Sequence, residues 1–224
     1  GRHHVRRLVG HAVNVGKGYR LAEFIVWTRR ELYTLPVLAV VPVCLFELAQ
    51  WRWLALPWTV VALIGTATAF IVGFKNAQTY ARTVEAQQVW TSILNASRAW
   101  GLLSRDYATS AETSRRLIDR HLAWVTVLRY QMRRRRAWET TARGANAEYQ
   151  RHYCVPEQVT ALEDELAEFI SAHELRDVLS SRNKGMRLMA NQSQAIKGLF
   201  QDGELAINFF IELEKAIKEL LDLQ

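Results

Sequence analysis

Three side chains spaced four residues apart, Thr66, Phe70 and Phe74, have the arrangement in this sequence that most suggests a chemical role. On a helix, this spacing places them on one face. The edge of an aromatic ring carries partial positive charge, and an apolar constriction can block ions by excluding water. Several copies of the face around an axis could therefore form a narrow apolar passage for weakly hydrated ions. Packing against lipid or another helix would use the same residues, and the spacing alone does not separate these interpretations.

Residues suited to acid–base, nucleophilic or metal chemistry do not form a recognisable set. His3, His4 and His11 lie near one another at the start of the sequence, and His152 lies two residues before Cys154. They lack the spacing of a zinc site, which needs three or four protein ligands. His121 and His173 lie in predicted helices, where packing or surface roles are more common than catalysis. We therefore predict no enzyme, no bound metal and no cofactor.

The elements that would position the aromatic face begin with an uncharged segment. Residues 53–74 contain 22 positions without one charge, and Lys75 follows directly. About 20 helical residues cross a hydrocarbon core of about 30 Å. The segment therefore predicts a membrane-spanning helix, in which the small residues at 65–69 would let a neighbouring helix approach closely.

A second apolar run, Leu35–Ala49, precedes this segment and contains one charged residue, Glu47. Because only residues 50–52 separate the two runs, the simplest arrangement is a transmembrane helical hairpin over residues 33–74. The alternative is that the first run forms an interfacial or buried helix, since its length alone is ambiguous.

Basic residues flank the predicted hairpin. Residues 1–32 contain seven basic side chains against two acidic ones, whereas the connector holds only Arg52. Positively charged flanks stay on the cytoplasmic side, so both ends of the hairpin are expected there. The net charge of +7 fits this topology and contact with anionic lipid, and no nucleic-acid-binding motif competes. We expect membrane lipid as a partner and no nucleic acid.

Residues 75–224 have the pattern of a cytoplasmic helical region, without the alternation typical of strands. Candidate helices span 77–105, 111–140, 157–181, 185–201 and 204–223. The last has an apolar stripe, which indicates packing against a surface in this chain or in another subunit. The predicted fold class is all-α, a transmembrane helical hairpin followed by a cytoplasmic helical bundle.

A basic cluster, Arg129 with Arg133–Arg136, lies near the end of the second candidate helix. A solvated cytosolic face is the simplest interpretation. Contact with lipid phosphate or with a permeating anion is the alternative.

A series of residues begins at the end of the uncharged segment and has a distinctive spacing. Its members are Gly73, Phe74, Asn76, Tyr80, Arg82, Glu85, Trp90, Asn95, Ser97 and Arg98. The series resembles the bestrophin family in its bacterial branch, where Gly-Phe-Arg-Asn-Asn precedes Tyr-x-Arg, a Glu, a Trp and Asn-x-Ser-Arg. Thr83 and Val84 stand where that family usually has a pair of tryptophans. The resemblance covers about residues 20–224.

The resemblance implies a homopentameric ion channel in the plasma membrane, with five copies of the second membrane helix around a narrow neck. That neck has three bulky apolar residues at four-residue spacing. Phe70 and Phe74 match two of them, whereas Thr66 stands in place of the usual aliphatic residue. A second, cytosolic constriction would fall at Ile207. The implied activity is passive transport of inorganic ions, with chloride favoured.

Members of the family continue, after a helix like 204–223, into two more membrane helices. The present sequence does not contain that second hairpin. We therefore expect the sequence to be either part of a longer protein or a chain that lacks the hairpin. The calcium-binding cluster of animal bestrophins lies in the same region, and calcium gating is therefore not implied. The alternatives are a cation-selective channel of this family and a non-conducting, membrane-anchored helical scaffold that binds a partner.

Overall fold

The computed structural model describes residues 25–26, 28–55, 57–137 and 155–224, together with Leu21 and Ala147. Every regular element in this part of the chain is helical, which confirms the predicted all-α class. The helices are α1 (Arg29–Leu48), α2 (Trp58–Tyr107), α3 (Ala111–Met132), α4 (Leu162–Leu166), α5 (Ala172–Ser180), α6 (Lys184–Gln201) and α7 (Ile207–Asp222). Short 3-10 turns occur at Arg52–Leu54 and Pro156–Gln158.

The chain divides into two compact units. Unit 1 comprises Gly1–Arg82 and Thr140–Cys154, and unit 2 comprises Thr83–Glu139 and Val155–Gln224. In the described part of the chain, unit 1 contains α1 and the beginning of α2. Unit 2 contains the remainder of α2 and the helices α3 to α7.

Two stretches are long and apolar enough to cross a membrane. They are α1, whose most apolar window has a mean hydropathy of 1.7, and Arg52–Tyr107, whose most apolar window has a mean hydropathy of 1.9. None of the residues in their most apolar windows is buried, whereas the core helix of a soluble protein would be mostly buried. A helix pairs its backbone N–H and C=O groups internally, as a segment in lipid must. Between the stretches the chain turns at Gln50, whose φ is 55°.

Helix α2 is continuous over 50 residues. The sequence predicted a separate helix beginning near residue 77, and that separation is wrong. Lys75 and Asn76 are polar, but both keep a backbone N–H and neither forces a turn, so the helix continues through them. The first charge after the uncharged segment marks a change in surface polarity and not the end of the helix.

The core of unit 2 is built around α3 and α6, with α7 and the last part of α2 packed against them. Ser110 begins α3 by accepting a hydrogen bond from the Thr113 N–H at 3.0 Å, the geometry of an N-cap. Trp100 of α2 and Trp124 of α3 are each 1% exposed. The other buried apolar residues of α3, α6 and α7 include Leu117, Val127, Leu188, Met189, Ile196, Leu213, Ile217 and Leu220. Most of the stripe on the last helix is thus covered within this chain, although Phe209 remains 40% exposed.

The expected single helix over 157–181 is wrong. The chain forms a 3-10 turn, α4 and α5 in that region. A new helix begins after Ser171 because its hydroxyl accepts a hydrogen bond from the Glu174 N–H at 3.3 Å.

Two other candidate helices are shorter than predicted, and one is confirmed. The helix expected over 111–140 ends at Met132. The helix expected over 204–223 begins at Ile207, because Gly203 turns the chain with a φ of 75°, a conformation that glycine adopts without strain. The prediction of 185–201 is confirmed by α6.

Candidate functional site

Thr66, Phe70 and Phe74 lie on one face of α2 in unit 1, and we call them the neck face. Phe70 and Phe74 are 67% and 57% exposed. Their rings meet edge to face, with centroids 4.6 Å apart and planes at 79°. The Thr66 hydroxyl donates to the Ala62 carbonyl at 2.8 Å, so its hydrogen is used within the helix. The face therefore presents two aromatic rings in edge-to-face contact and a threonine whose hydroxyl hydrogen is already in a hydrogen bond.

Glycines flank the neck face without a packing partner among the described residues. A Cβ atom built on Gly65 or Gly73 would meet no described atom within 4 Å. Neither glycine is therefore required for a close contact within the described part of the chain. Space of this kind lets a helix from another molecule approach closely.

The first residues of the family-like series continue along α2 in unit 1. Asn76, Tyr80 and Arg82 are exposed, and Tyr80 keeps 73% of its accessible surface. Thr79 donates its hydroxyl hydrogen to the Lys75 carbonyl at 2.9 Å. None of the described elements of unit 1 buries these side chains.

The later residues of the series lie in unit 2, at the border of its core. Glu85, Asn95 and Arg98 are exposed, and Trp90 is 39% exposed. Ser97 is half-buried, and its hydroxyl oxygen is out of contact with solvent and has no hydrogen-bond partner. The series thus follows the length of α2 and does not converge on one pocket.

Ile207 is the first residue of α7 and is 51% exposed. The start of this helix is fixed to the end of α2, because the rings of Tyr107 and Phe209 stack with centroids 4.1 Å apart and planes at 13°. The contact holds Ile207 at the surface of unit 2. The sequence did not identify this aromatic pair.

The most constrained polar groups of unit 2 were also missed. Arg120 makes two hydrogen bonds to the Glu174 carboxylate, at 2.6 and 3.1 Å, and a third to the Gln192 side-chain oxygen at 3.2 Å. Gln192 in turn donates to the Leu117 carbonyl at 2.8 Å. These bonds tie α3, α5 and α6 together. Their residues are far apart in sequence, so no local spacing could have revealed them.

His121 is 6% exposed and lies between two tryptophan rings. Its centroid is 6.1 Å from that of Trp100 and 5.5 Å from that of Trp124. Its Nε2 atom has no hydrogen-bond partner. Burial lowers the pKa of His121 from 6.5 to about 4, so the imidazole is neutral at physiological pH. The geometry supports a packing role.

Metal-binding groups do not come together in the part of the chain that the structure describes. No three of its His, Cys, Asp or Glu side chains form a cluster that could hold a metal ion. The candidates His3, His4, His11, His152 and Cys154 lie outside the described residues. Cys44 is exposed on α1 as a free thiol.

Comparison with known proteins gives a consistent result. A family described as bacterial/fungal bestrophin protein matches residues 25–224. The voltage-dependent anion channel-forming protein YneE of Escherichia coli K12 is 24% identical over 162 residues, which are 71% of this chain and 44% of that protein.

Solved structures of a bacterial bestrophin homologue from Klebsiella pneumoniae have the same fold. One variant superposes with a TM-score of 0.69 at 18% identity, covering 88% of this chain and 64% of that one. A second gives 0.66 at 19% identity, covering 84% and 60%. The present chain therefore spans less than two thirds of the length of these relatives. Because the family match extends over nearly the whole sequence, the chain belongs to the bacterial and fungal bestrophin family.

Proposed function

We propose that the protein is a subunit of an ion channel, in which copies of α2 surround the conduction path and the neck face forms its narrowest apolar part. The observation that carries this proposal is the exposure of Phe70 and Phe74 on a helix apolar enough to span a membrane. Such a face must be covered by lipid or by another helix, or must line a passage between copies. Membership of the bestrophin family supports the second alternative.

Chloride and other inorganic anions are the proposed substrates. The name of the E. coli relative refers to anions, and the net charge of +7 would raise the local concentration of anions near the protein. The partly positive edges of Phe70 and Phe74 would let a weakly hydrated anion pass without a charged binding site. No bond is made or broken, and ions move down their gradient.

The proposed topology places residues 33–74 across the plasma membrane as a hairpin, with 1–32 and 75–224 in the cytoplasm. The protein would assemble as a homopentamer, as the resemblance to bestrophins implies. In that assembly Ile207, at the exposed start of α7, would border a second constriction on the cytosolic side.

A non-conducting scaffold has less support. Its partner-binding surface would be the apolar stripe of α7, but Leu213, Ile217 and Leu220 are only 1–4% exposed and pack within unit 2. A partner could reach them only by displacing α6.

Cysteine accessibility tests the proposed lining directly. In a background with Cys44→Ser and Cys154→Ser, the variants Phe70→Cys and Phe74→Cys are reconstituted in lipid bilayers and exposed to a charged thiol reagent. Reaction at a water-accessible neck should reduce the current irreversibly. The matched control is Val72→Cys, which lies about 180° around the helix from the centre of the neck face. Equal modification at all three positions, or at Val72 alone, would exclude the proposed lining.

A further inference from the structure

Three consecutive arginines after α3 carry charge that the described chain does not neutralise. Arg133, Arg134 and Arg135 are exposed. None of them forms an ion pair with a carboxylate among the described residues. Arg120 on the same helix differs, since it is paired with Glu174 at 2.6 Å.

Two acidic groups of the described chain, Glu157 and Glu165, are engaged by Arg129 and not by the cluster. Glu157 lies 3.0 Å from Arg129, and Glu165 pairs with the same guanidinium. Glu165 also accepts a hydrogen bond from Tyr130 at 2.8 Å. Both carboxylates are thus bound by an arginine of α3 that lies one turn before the cluster.

A glutamine holds the arginine-bearing segment in place. Gln158 donates to the Arg133 carbonyl at 3.2 Å and accepts from the Arg135 Nε at 2.9 Å. The backbone after α3 is thus tied to the turn that follows Pro156. The charges are presented on an ordered surface.

Exposed apolar side chains flank the arginines. Met132 ends α3 with 50% of its surface exposed, and Val159 follows Gln158 with 61% exposed. A surface that pairs basic groups with apolar ones suits a lipid interface, where phosphate and hydrocarbon lie next to each other.

Helix packing within unit 2 places the arginines at the C-terminal end of α3, away from the turn that joins α2 to α3. Trp100 of α2 donates to the Leu117 carbonyl at 3.5 Å and stacks on His121, so α3 runs back along α2 after a short turn. The 22 residues of α3 rise about 33 Å. Its C-terminal end, which carries the cluster, is therefore far from the turn that joins α2 to α3.

We propose that Arg133, Arg134 and Arg135, with Met132 and Val159, form a binding surface for the headgroups of anionic phospholipids. The arginines bind the headgroup phosphate, and the two apolar side chains contact the upper part of the acyl chains. Arginines at a helix C-terminus also stabilise the helix dipole, but that role does not select a ligand.

Native mass spectrometry of the whole chain in mild detergent tests this assignment, with phosphatidylglycerol as the probe. The variant Arg133→Gln, Arg134→Gln, Arg135→Gln should bind phosphatidylglycerol about 100-fold more weakly, since each arginine beside an anionic surface contributes about fivefold. The charge-matched control is Arg115→Gln, Arg116→Gln, Arg182→Gln, which removes exposed arginines elsewhere in unit 2 and should change binding little.

Further measurements distinguish binding of a lipid headgroup from binding of free phosphate, and they control for misfolding of the variants. Binding of phosphatidylcholine should be the same in all three proteins, and soluble glycerol phosphate should not displace phosphatidylglycerol. Val159→Ser, which keeps every charge, should weaken phosphatidylglycerol binding severalfold. Equal losses in the two triple variants, or displacement by glycerol phosphate, would overturn the proposal. The proposal rests on the membrane location and not on conduction, so a protein that binds the lipid but carries no current contradicts only the channel function.

Discussion

The rings of Phe70 and Phe74 contact each other edge to face along α2, with centroids 4.6 Å apart. Both side chains are exposed, so the two rings together present one apolar surface on this helix. In a constriction, the volume of such side chains would set the width of the passage.

Removing either ring should widen the proposed neck. Phe70→Ala and Phe74→Ala are each expected to raise single-channel conductance severalfold, because a wider apolar neck holds water more readily. Single-channel recording in planar bilayers measures this. Val72→Ala, which removes bulk on the opposite side of α2, should leave conductance unchanged. A larger effect at Val72 than at Phe70 would contradict the assignment.

Thr66 should influence ion conduction through the volume of its side chain and not through its hydroxyl group. Because the hydroxyl hydrogen is donated to the Ala62 carbonyl, Thr66→Val should change conductance and selectivity little. Thr66→Leu adds bulk at the end of the neck face and should lower conductance. A strong effect of the isosteric valine would mean that the hydroxyl contacts the permeating ion, and the description of Thr66 would then be wrong.

The ion pair between Arg120 and Glu174 should contribute strongly to the stability of unit 2. Their side chains are 18% and 14% exposed, so removing one partner leaves a partly buried charge unpaired. We expect Glu174→Gln to lower the free energy of unfolding by about 2–4 kcal/mol. Thermal unfolding in detergent measures the change. Arg115→Ala, at a side chain that is 77% exposed, should change the free energy of unfolding by less than about 1 kcal/mol.

His121 should make unit 2 sensitive to acid. Burial lowers its pKa from 6.5 to about 4, so above pH 6.5 the folded and unfolded chains both hold it neutral. Between pH 6.5 and 4 only the unfolded chain takes up the proton, and stability falls as the pH falls. The full difference is about 3 kcal/mol, and it is reached below pH 4.

Unfolding at a series of pH values, with a variant that cannot be protonated, isolates this contribution. His121→Phe keeps an aromatic ring between Trp100 and Trp124 and should remove the part of the acid sensitivity that is due to His121. An identical profile for the wild-type protein and His121→Phe would show that His121 does not differ between the folded and unfolded states.

The sequence was informative where the signal is local. Four-residue spacing identified Phe70 and Phe74 as one face, and hydropathy identified both apolar stretches. The prediction of a helix boundary at Lys75 and Asn76 was wrong, because a polar residue changes the surface of a helix without ending the helix.

Contacts between distant residues could not be read from the sequence. The bond from Arg120 to Glu174 and the stack of Tyr107 on Phe209 depend on how helices pack. Neither pair has a spacing that distinguishes it from the many other charged and aromatic pairs in the chain. Ser171 could have been recognised as an N-cap, since Glu174 follows at the third position, as in a capping box.

The reversal potential of the reconstituted protein in asymmetric sodium chloride tests the central claim most directly. If the neck face of α2 lines an anion pathway, the bilayer should carry current that reverses close to the equilibrium potential of chloride. Reversal near the equilibrium potential of sodium would contradict anion selectivity. Protein that is inserted in the bilayer and carries no current would contradict the channel function itself.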